Sequence, residues 1–377
     1  MSIPEQHHPY RSAAGWLAVA PTAFVVVFAI VPAIVLVTHV GSLDGIGDVL
    51  SKPSVREAVW FSTWQAMVSS LTCLALSLPV TWVLARFDFP ARRLVSAVVT
   101  TPFLLPTVVV GVAVLAILPT SLDYTWFAVI IAHAYFNLAV VVRVVGARLA
   151  STSPHLTTVA QTLGATRWQA LSTVVAPILR PAIVSSGAIV ALLSFTSFGV
   201  VRMVGGPSLS TIETEIYARA VLIGDMDGAV VLAVAQVAFL VVTGLLVARR
   251  DATVRRVDRL VTERRPLRGH PARRVVIAIL VATLTFVMAP WLATVARSVG
   301  GWAFIGNAEF HRALGASLRA AVVCAVVAGT LGTASALAAT YSPTWGRIGT
   351  LFASLPLTMS AVVVGLGYLL TFDTPPF

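Results

Sequence analysis

Apolar residues occur along this chain in long unbroken runs rather than in alternation, and polar positions gather in the connections between them. Nine runs are long enough to cross a bilayer as a helix, which takes about 20 residues. They are 16–38, 59–84, 94–118, 126–145, 182–201, 229–248, 275–297, 313–340 and 348–372. A helix satisfies its own backbone groups in lipid, so each run is predicted to be helical. Pro32, Pro79, Pro102, Pro106, Pro290 and Pro356 lie inside the runs and predict kinks packed against neighbouring helices. The first run exceeds the roughly 7–15 residues of a signal-peptide core and reads as a retained span.

Composition agrees, with 58% hydrophobic and 11% charged residues. A soluble domain carries about 25% charged residues, so disorder, a fibrous repeat and an ordinary soluble enzyme are excluded. The fold class expected is an all-α polytopic membrane protein with about nine transmembrane helices. Cys73 and Cys324 fall within apolar runs and read as small buried thiols, with neither a disulfide framework nor a metal site signalled.

Net charge is +11, and Lys52 is the only lysine. The basic residues are not spread over a soluble face, so nucleic acid is not an expected partner. Ten of them lie between Arg249 and Arg274, between two apolar runs. Positive charge beside spans marks the cytoplasmic side, and contact with anionic membrane lipid is the second reading. Placing the N-terminus in the cytoplasm puts nineteen basic residues on that side and six opposite, with Arg319 inside a run. The expected location is therefore the cytoplasmic membrane, multi-pass, with a cytoplasmic N-terminus.

The runs also repeat. Thr101–Gly111 lines up with Leu355–Gly365, pairing Pro102 with Pro356 and Gly111 with Gly365; Phe28 and Pro32 match Phe286 and Pro290, and Arg93 falls on Arg347. Six spans separate the copies, so both have the same orientation, as in parallel transporter repeats. Residues 1–255 then form a first membrane domain with a cytoplasmic connection at 146–181. Residues 256–377 form a partial second domain of three spans.

That connection reads Ser151-Thr-Ser-Pro-His-Leu-Thr-Thr-Val-Ala-Gln-Thr-Leu-Gly164-Ala-Thr-Arg-Trp-Gln-Ala170, continuing through Pro177 to Pro181. Ser153-Pro154 predicts a helix start, and Gly164 a left-handed helix end. A second amphipathic helix from about Arg167 is expected to stop near Pro177 and Pro181. Two short helices at a glycine turn make a protrusion that another protein can grip. A merely connecting amphipathic loop is the alternative.

At these residues the chain resembles the permease subunits of binding-protein-dependent ABC importers. Thr158, Val159 and Ala160 occupy the positions of that family's Glu-Ala-Ala, Gly164 its glycine, followed by Ala165, and Ala176-Pro177 its closing Leu-Pro. Thr158, Val159 and Ala176 depart from the family residues. The resemblance implies a coupling helix that docks into a groove of an ATPase subunit. Further pieces, Phe61–Ala66, Ala132–Leu138 and Thr211–Tyr217, are similar to the tandem-duplicated group serving thiamine and ferric-iron importers, nearest to the thiamine type. The fold implied is one complete six-helix permease repeat plus half of a second, whose coupling loop is missing from the sequence. By the same offset that loop would begin near position 412, so the chain alone is expected not to support coupled import.

His133 and Asn137 stand one turn apart on one span. They read as interhelical hydrogen-bonding groups or as part of a translocation path. Glu213, Glu215 and Tyr217 lie in the outward connection 202–228 and read as a solvated face or as a contact for a soluble binding protein. No phosphate-binding Gly-x-x-x-x-Gly-Lys-Ser/Thr motif exists in the sequence, so no cofactor is expected here and ATP would be bound by the partner. The function implied is the transmembrane subunit of an ATP-driven importer, not an enzyme. Its partners would be an ATPase dimer and a soluble substrate-binding protein; its solute would be thiamine or a phosphorylated form, then ferric iron. The alternative is an ion-gradient-driven secondary transporter or channel with parallel repeats.

Overall fold

The computed structural model describes residues 11–39, 43–153, 155–251, 264–341 and 360–372. In chain order the helices are α1 (Arg11–Val25), α2 (Val31–Thr38), α3 (Leu43–Ser51), α4 (Pro53–Arg86), α5 (Arg92–Thr100), α6 (Thr107–Leu115), α7 (Trp126–Ser151) and α8 (His155–Thr162). They continue as α9 (Arg167–Ala170), α10 (Ala176–Phe195), α11 (Gly199–Val204), α12 (Ile212–Tyr217), α13 (Met226–Asp251), α14 (Arg273–Ser298), α15 (Ala308–Tyr341) and α16 (Ala361–Thr371). Two short strands, β1 (Phe87–Asp88) and β2 (Arg265–Pro266), pair in parallel. The all-α polytopic class holds. Among the described residues seven helices are long and apolar enough to cross a membrane, or eight if one bent pair counts as a span. Of the ninth run only α16 is described, and Arg347, Leu355 and Pro356 lie outside the described residues.

Two expectations about individual spans are corrected. The third run is not one helix: α5, extended by a tight turn at Thr101–Leu104, meets α6 at 106°. The cause is local. Leu105 stands before Pro106, where proline disfavours helical backbone, and adopts φ −79°, ψ 149°. The fifth run does not begin after Pro181. Helix α9 passes through a widened π turn, Leu171–Val175, into α10, so one apolar helical stretch covers Arg167–Phe195. A π turn spaces the backbone so that a proline without an N–H can follow it. The same device precedes Pro32, where Val26–Ile30 is π-helical.

The described parts group into two compact units. One comprises Leu50–Glu215 with Val241–Arg297. Its centre is α7, against which α4 and α10 both pack. The seam is lined by small side chains: Ala66, Ser69, Ser70, Cys73 and Ser77 on α4 and Ala182, Ser186 and Gly187 on α10 are all buried. Lipid is as apolar as a leucine side chain, so helices in a membrane associate by close approach and by hydrogen bonds. Ser70 Oγ donates to the Gly187 carbonyl at 2.7 Å. A methyl group at Gly187 would stand 3.1 Å from Leu74 Cδ1. Trp60, Met67 and Leu71, on the other side of α4, are exposed as lipid-facing residues.

The other unit comprises Met1–Val49, Ile216–Leu240 and Ser298–Phe377. In it α1 packs on α15 and α2 on α16. Asp225 caps α13 by accepting from the Gly228 N–H at 3.0 Å and pairs with Arg219 at 2.6 Å.

Candidate coupling hairpin and buried polar core

The connection between α7 and α10 is built from two helix-end devices set back to back. Ser153 Oγ accepts from the His155 N–H at 3.3 Å, starting α8. At its other end Gly164 takes φ +90°. The Gly164 N–H donates to the Gln161 carbonyl and the Ala165 N–H to the Ala160 carbonyl, both at 3.0 Å. This is the paired bonding of a Schellman helix end, in which glycine carries the left-handed residue. One residue later Thr166 opens α9 with a capping box: the Gln169 N–H donates to Thr166 Oγ1 at 3.2 Å, and the Thr166 N–H to Gln169 Oε1 at 2.8 Å. The turn is therefore defined by hydrogen bonds within residues 160–169 and needs no neighbour to hold it.

The apolar side chains at this turn face outward. Leu163 is 83% exposed and Trp168 73%. Thr158, Val159, Gly164 and Pro177 are exposed, and Ala160 and Ala165 are half-buried. The structure thus brings five of the six residues expected to couple into one hairpin. Pro177 stands apart, in the first turn of α10. Arg86 ties the base of the hairpin to α4 by donating from Nη1 to the Thr152 carbonyl at 2.7 Å.

His133 and Asn137 lie in the seam between helices, each 1% exposed. Gln65 Nε2 donates to the Ser194 carbonyl at 2.9 Å, Ser69 Oγ donates to Gln65 Oε1 at 3.5 Å, and His133 Nδ1 meets Ser69 Oγ at 3.3 Å. With the serine hydrogen directed to Gln65, His133 Nδ1 is assigned as the donor and Nε2 becomes a bare acceptor. Asn137 Nδ2 donates to the His133 carbonyl at 3.0 Å, within its own helix. His133 Nε2, Asn137 Oδ1 and Ser194 Oγ are buried without a hydrogen-bond partner. The segments Phe61–Ala66 and Ala132–Leu138, far apart in sequence, meet through this chain of contacts. Ser69 and Ser194 were not singled out in the sequence, and Gln65 entered only as part of the piece Phe61–Ala66. A usable signal was the spacing of Gln65, Ser69, Cys73 and Ser77, every fourth residue on one face of an apolar helix.

The solvated face expected at Glu213, Glu215 and Tyr217 is corrected. Glu213 is fully buried and Glu215 is 9% exposed. Glu215 accepts from Ser54 Oγ at 3.0 Å. Upstream of both carboxylates, the Ile212 N–H donates to Ser62 Oγ at 2.9 Å, tying α12 to α4. These hydroxyls of α4 hold α12 against the bundle with both carboxylates inward, leaving Tyr217, half-buried, as the more accessible member.

The described residues thus form a polytopic helical membrane protein with a self-capped hairpin between two spans that exposes apolar side chains. Residues 77–261 match the model of the family described as "Binding-protein-dependent transport system inner membrane component". The chain is 34% identical over 172 residues to the sulfate transport system permease protein CysT of Escherichia coli (strain K12), covering 42% of this chain and 62% of that protein. It is 29% identical over 175 residues to the molybdate/tungstate transport system permease protein WtpB of Thermococcus kodakarensis, covering 46% and 70%. It is 25% identical over 212 residues to the thiamine transport system permease protein ThiP of Haemophilus influenzae, covering 52% and 39%. The chain thus spans less than two thirds of the sulfate relative. These relatives are named as permease proteins, not as enzymes, in line with the expectation for this chain.

Proposed function

We propose that the chain is a transmembrane permease subunit of a binding-protein-dependent ABC importer and that the hairpin at 155–170 is where a separate ATPase subunit docks. The observation that carries this reading is the Gly164 turn: a rigid, internally bonded protrusion exposing Leu163 and Trp168 within the segment that matches the permease family. ATP binding would draw the hairpin toward its counterpart, and the continuous helical stretch Arg167–Phe195 would transmit that movement into the membrane. Coupling of this kind requires two global states that the partner contacts differently. The end of the molecule that bears the hairpin is the cytoplasmic end in this reading.

The solute favoured is a tetrahedral oxyanion of the sulfate or molybdate type. The relatives named for those solutes match at 34% and 29% identity, above the 25% of the thiamine relative. Thiamine, favoured by the resemblance of short pieces, stands second and ferric iron third. A place for His133 and Asn137 on the path is supported by their unpaired buried atoms and requires the α4–α7 seam to part. Contact with a soluble receptor through the 202–228 connection rests on Tyr217.

The test is affinity capture of the ATPase subunit on the full chain, with labelled sulfate, molybdate and thiamine uptake measured in the same membranes. Loss of ATPase capture on Gly164→Val, with the protein still folded, supports the docking site. Equal capture by both proteins refutes it.

A further inference from the structure

The bent pair α5–α6 creates a problem that its own helices do not solve. The turn Thr101–Leu104 packs against α7, with the Phe103 and Phe136 rings 5.2 Å apart. Phe136 stands about 15 Å along the 26-residue α7 from its start at Trp126, so the break lies at membrane depth. It is held there. Pro102 is buried, and α11 packs so closely on α6 that a methyl group at Gly199 would collide with Thr107 Oγ1.

The break also frees backbone groups. Leu105 is extended, and no side chain caps the start of α6. Among the described residues the N–H groups of Thr107, Val108 and Val109 find no acceptor. The surface around them is open: Leu104 is 75% exposed and Val108 50%. Non-helical backbone at membrane depth is tolerated only where protein buries it or water reaches it, because lipid satisfies no polar group. A neighbouring apolar helix would not supply the acceptors, since its own carbonyls are bonded within it. Water and an oxyanion both would.

We propose that the exposed face of this bent span, Leu104 to Val109, lines the aqueous path of the solute. The freed N–H groups would face water or the oxygens of a passing oxyanion. Leu104 and Val108 would form an apolar constriction of the kind that sheds water between passages. The face lies within the segment matched to the permease family. The proposal rests on the transport reading and gives the path a place that does not require the α4–α7 seam to part.

Single cysteines test it, introduced by Leu104→Cys or Val108→Cys in the full chain with Cys73→Ala and Cys324→Ala, in membrane vesicles of both orientations. The probe is a membrane-impermeant methanethiosulfonate that carries a sulfonate group. Met67→Cys and Leu71→Cys, on the lipid-facing side of α4, are the controls. Both path cysteines are expected to react about 100-fold faster than the controls, the ratio implied by about 3 kcal/mol for bringing a charge to the bilayer centre. Reaction of every variant after unfolding shows that each thiol is present. Rates at Leu104→Cys and Val108→Cys no higher than those of the controls, in either orientation, overturn the proposal. Oxidative cross-linking of two copies through these cysteines without labelling also overturns it, because the face would then be an interface between chains. Labelling needs no ATPase, so its failure and a loss of ATPase capture are separate results.

Discussion

Tyr368 donates its hydroxyl to the carbonyl of Phe28 at 2.8 Å. Four residues on from that carbonyl stands Pro32, which has no N–H to return to it. A side chain from a distant helix thus supplies the hydrogen bond that proline withholds. Tyr135 makes another bond between distant helices, donating to the Val287 carbonyl of α14 at 3.1 Å. Prolines inside spans are tolerated where neighbouring helices satisfy the freed backbone groups. Removing either hydroxyl, by Tyr368→Phe or Tyr135→Phe, is expected to cost about 1 kcal/mol. Unfolding of the detergent-solubilised protein with increasing denaturing surfactant would measure it, and an unchanged midpoint would refute the assignment.

The glycine turn of the hairpin gives a sharper expectation. At φ +90° a side chain is strained, although a Cβ at Gly164 would meet nothing within 4 Å. Gly164→Val is therefore predicted to cost about 1–3 kcal/mol locally and to abolish ATPase capture while the span helices remain folded. Gly164→Asn, which tolerates left-handed backbone better, should retain most capture. Comparable loss in both variants would mean that the space at the turn matters and its backbone conformation does not.

Gly111 and Gly365, matched in the sequence repeat, differ in surroundings. A methyl group at Gly111 would stand 2.6 Å from Met203 Cβ, whereas at Gly365 it would meet nothing within 4 Å. Gly111→Ala should destabilise by about 1–3 kcal/mol through overpacking of α6 on α11. Gly365→Ala should be neutral, or stabilising by up to about 1 kcal/mol from helix propensity. Thermal unfolding of the two variants side by side decides, and equal effects would contradict the packing described.

The polar seam separates structural from pathway roles. Ser69→Ala leaves His133 Nδ1 without its partner and should destabilise by about 1 kcal/mol. Asn137→Leu removes a buried oxygen that makes no bond together with an amide that bonds only within its own helix, so stability should hold or rise. If the seam lies on the solute path, Asn137→Leu should nevertheless lower uptake several-fold with ATPase capture unchanged. Uptake equal to wild type would leave this asparagine no part in transport.

Much of the candidate site was legible in the chain. Ser153, Gly164 and Thr166 are helix-end residues whose preferences act over three to five positions, so the hairpin follows from its own sequence. The prolines were less so. Pro177 was expected to end a helix, and the structure carries the helix past it through a π turn, because a widened turn is an alternative to a break that local sequence does not distinguish. The inward placement of Glu213 and Glu215 was equally hidden, since it depends on hydroxyls and small residues contributed by α4.

By itself the sequence determined that this chain lies in a membrane, how much of it is helical, and where a rigid turn projects between spans. These follow from run length and from short-range backbone chemistry. Only the tertiary structure decided which polar groups of different helices meet and which glycines carry close contacts. Those are relations between residues far apart along the chain, set by how small side chains let helices approach in lipid, and no local pattern encodes them.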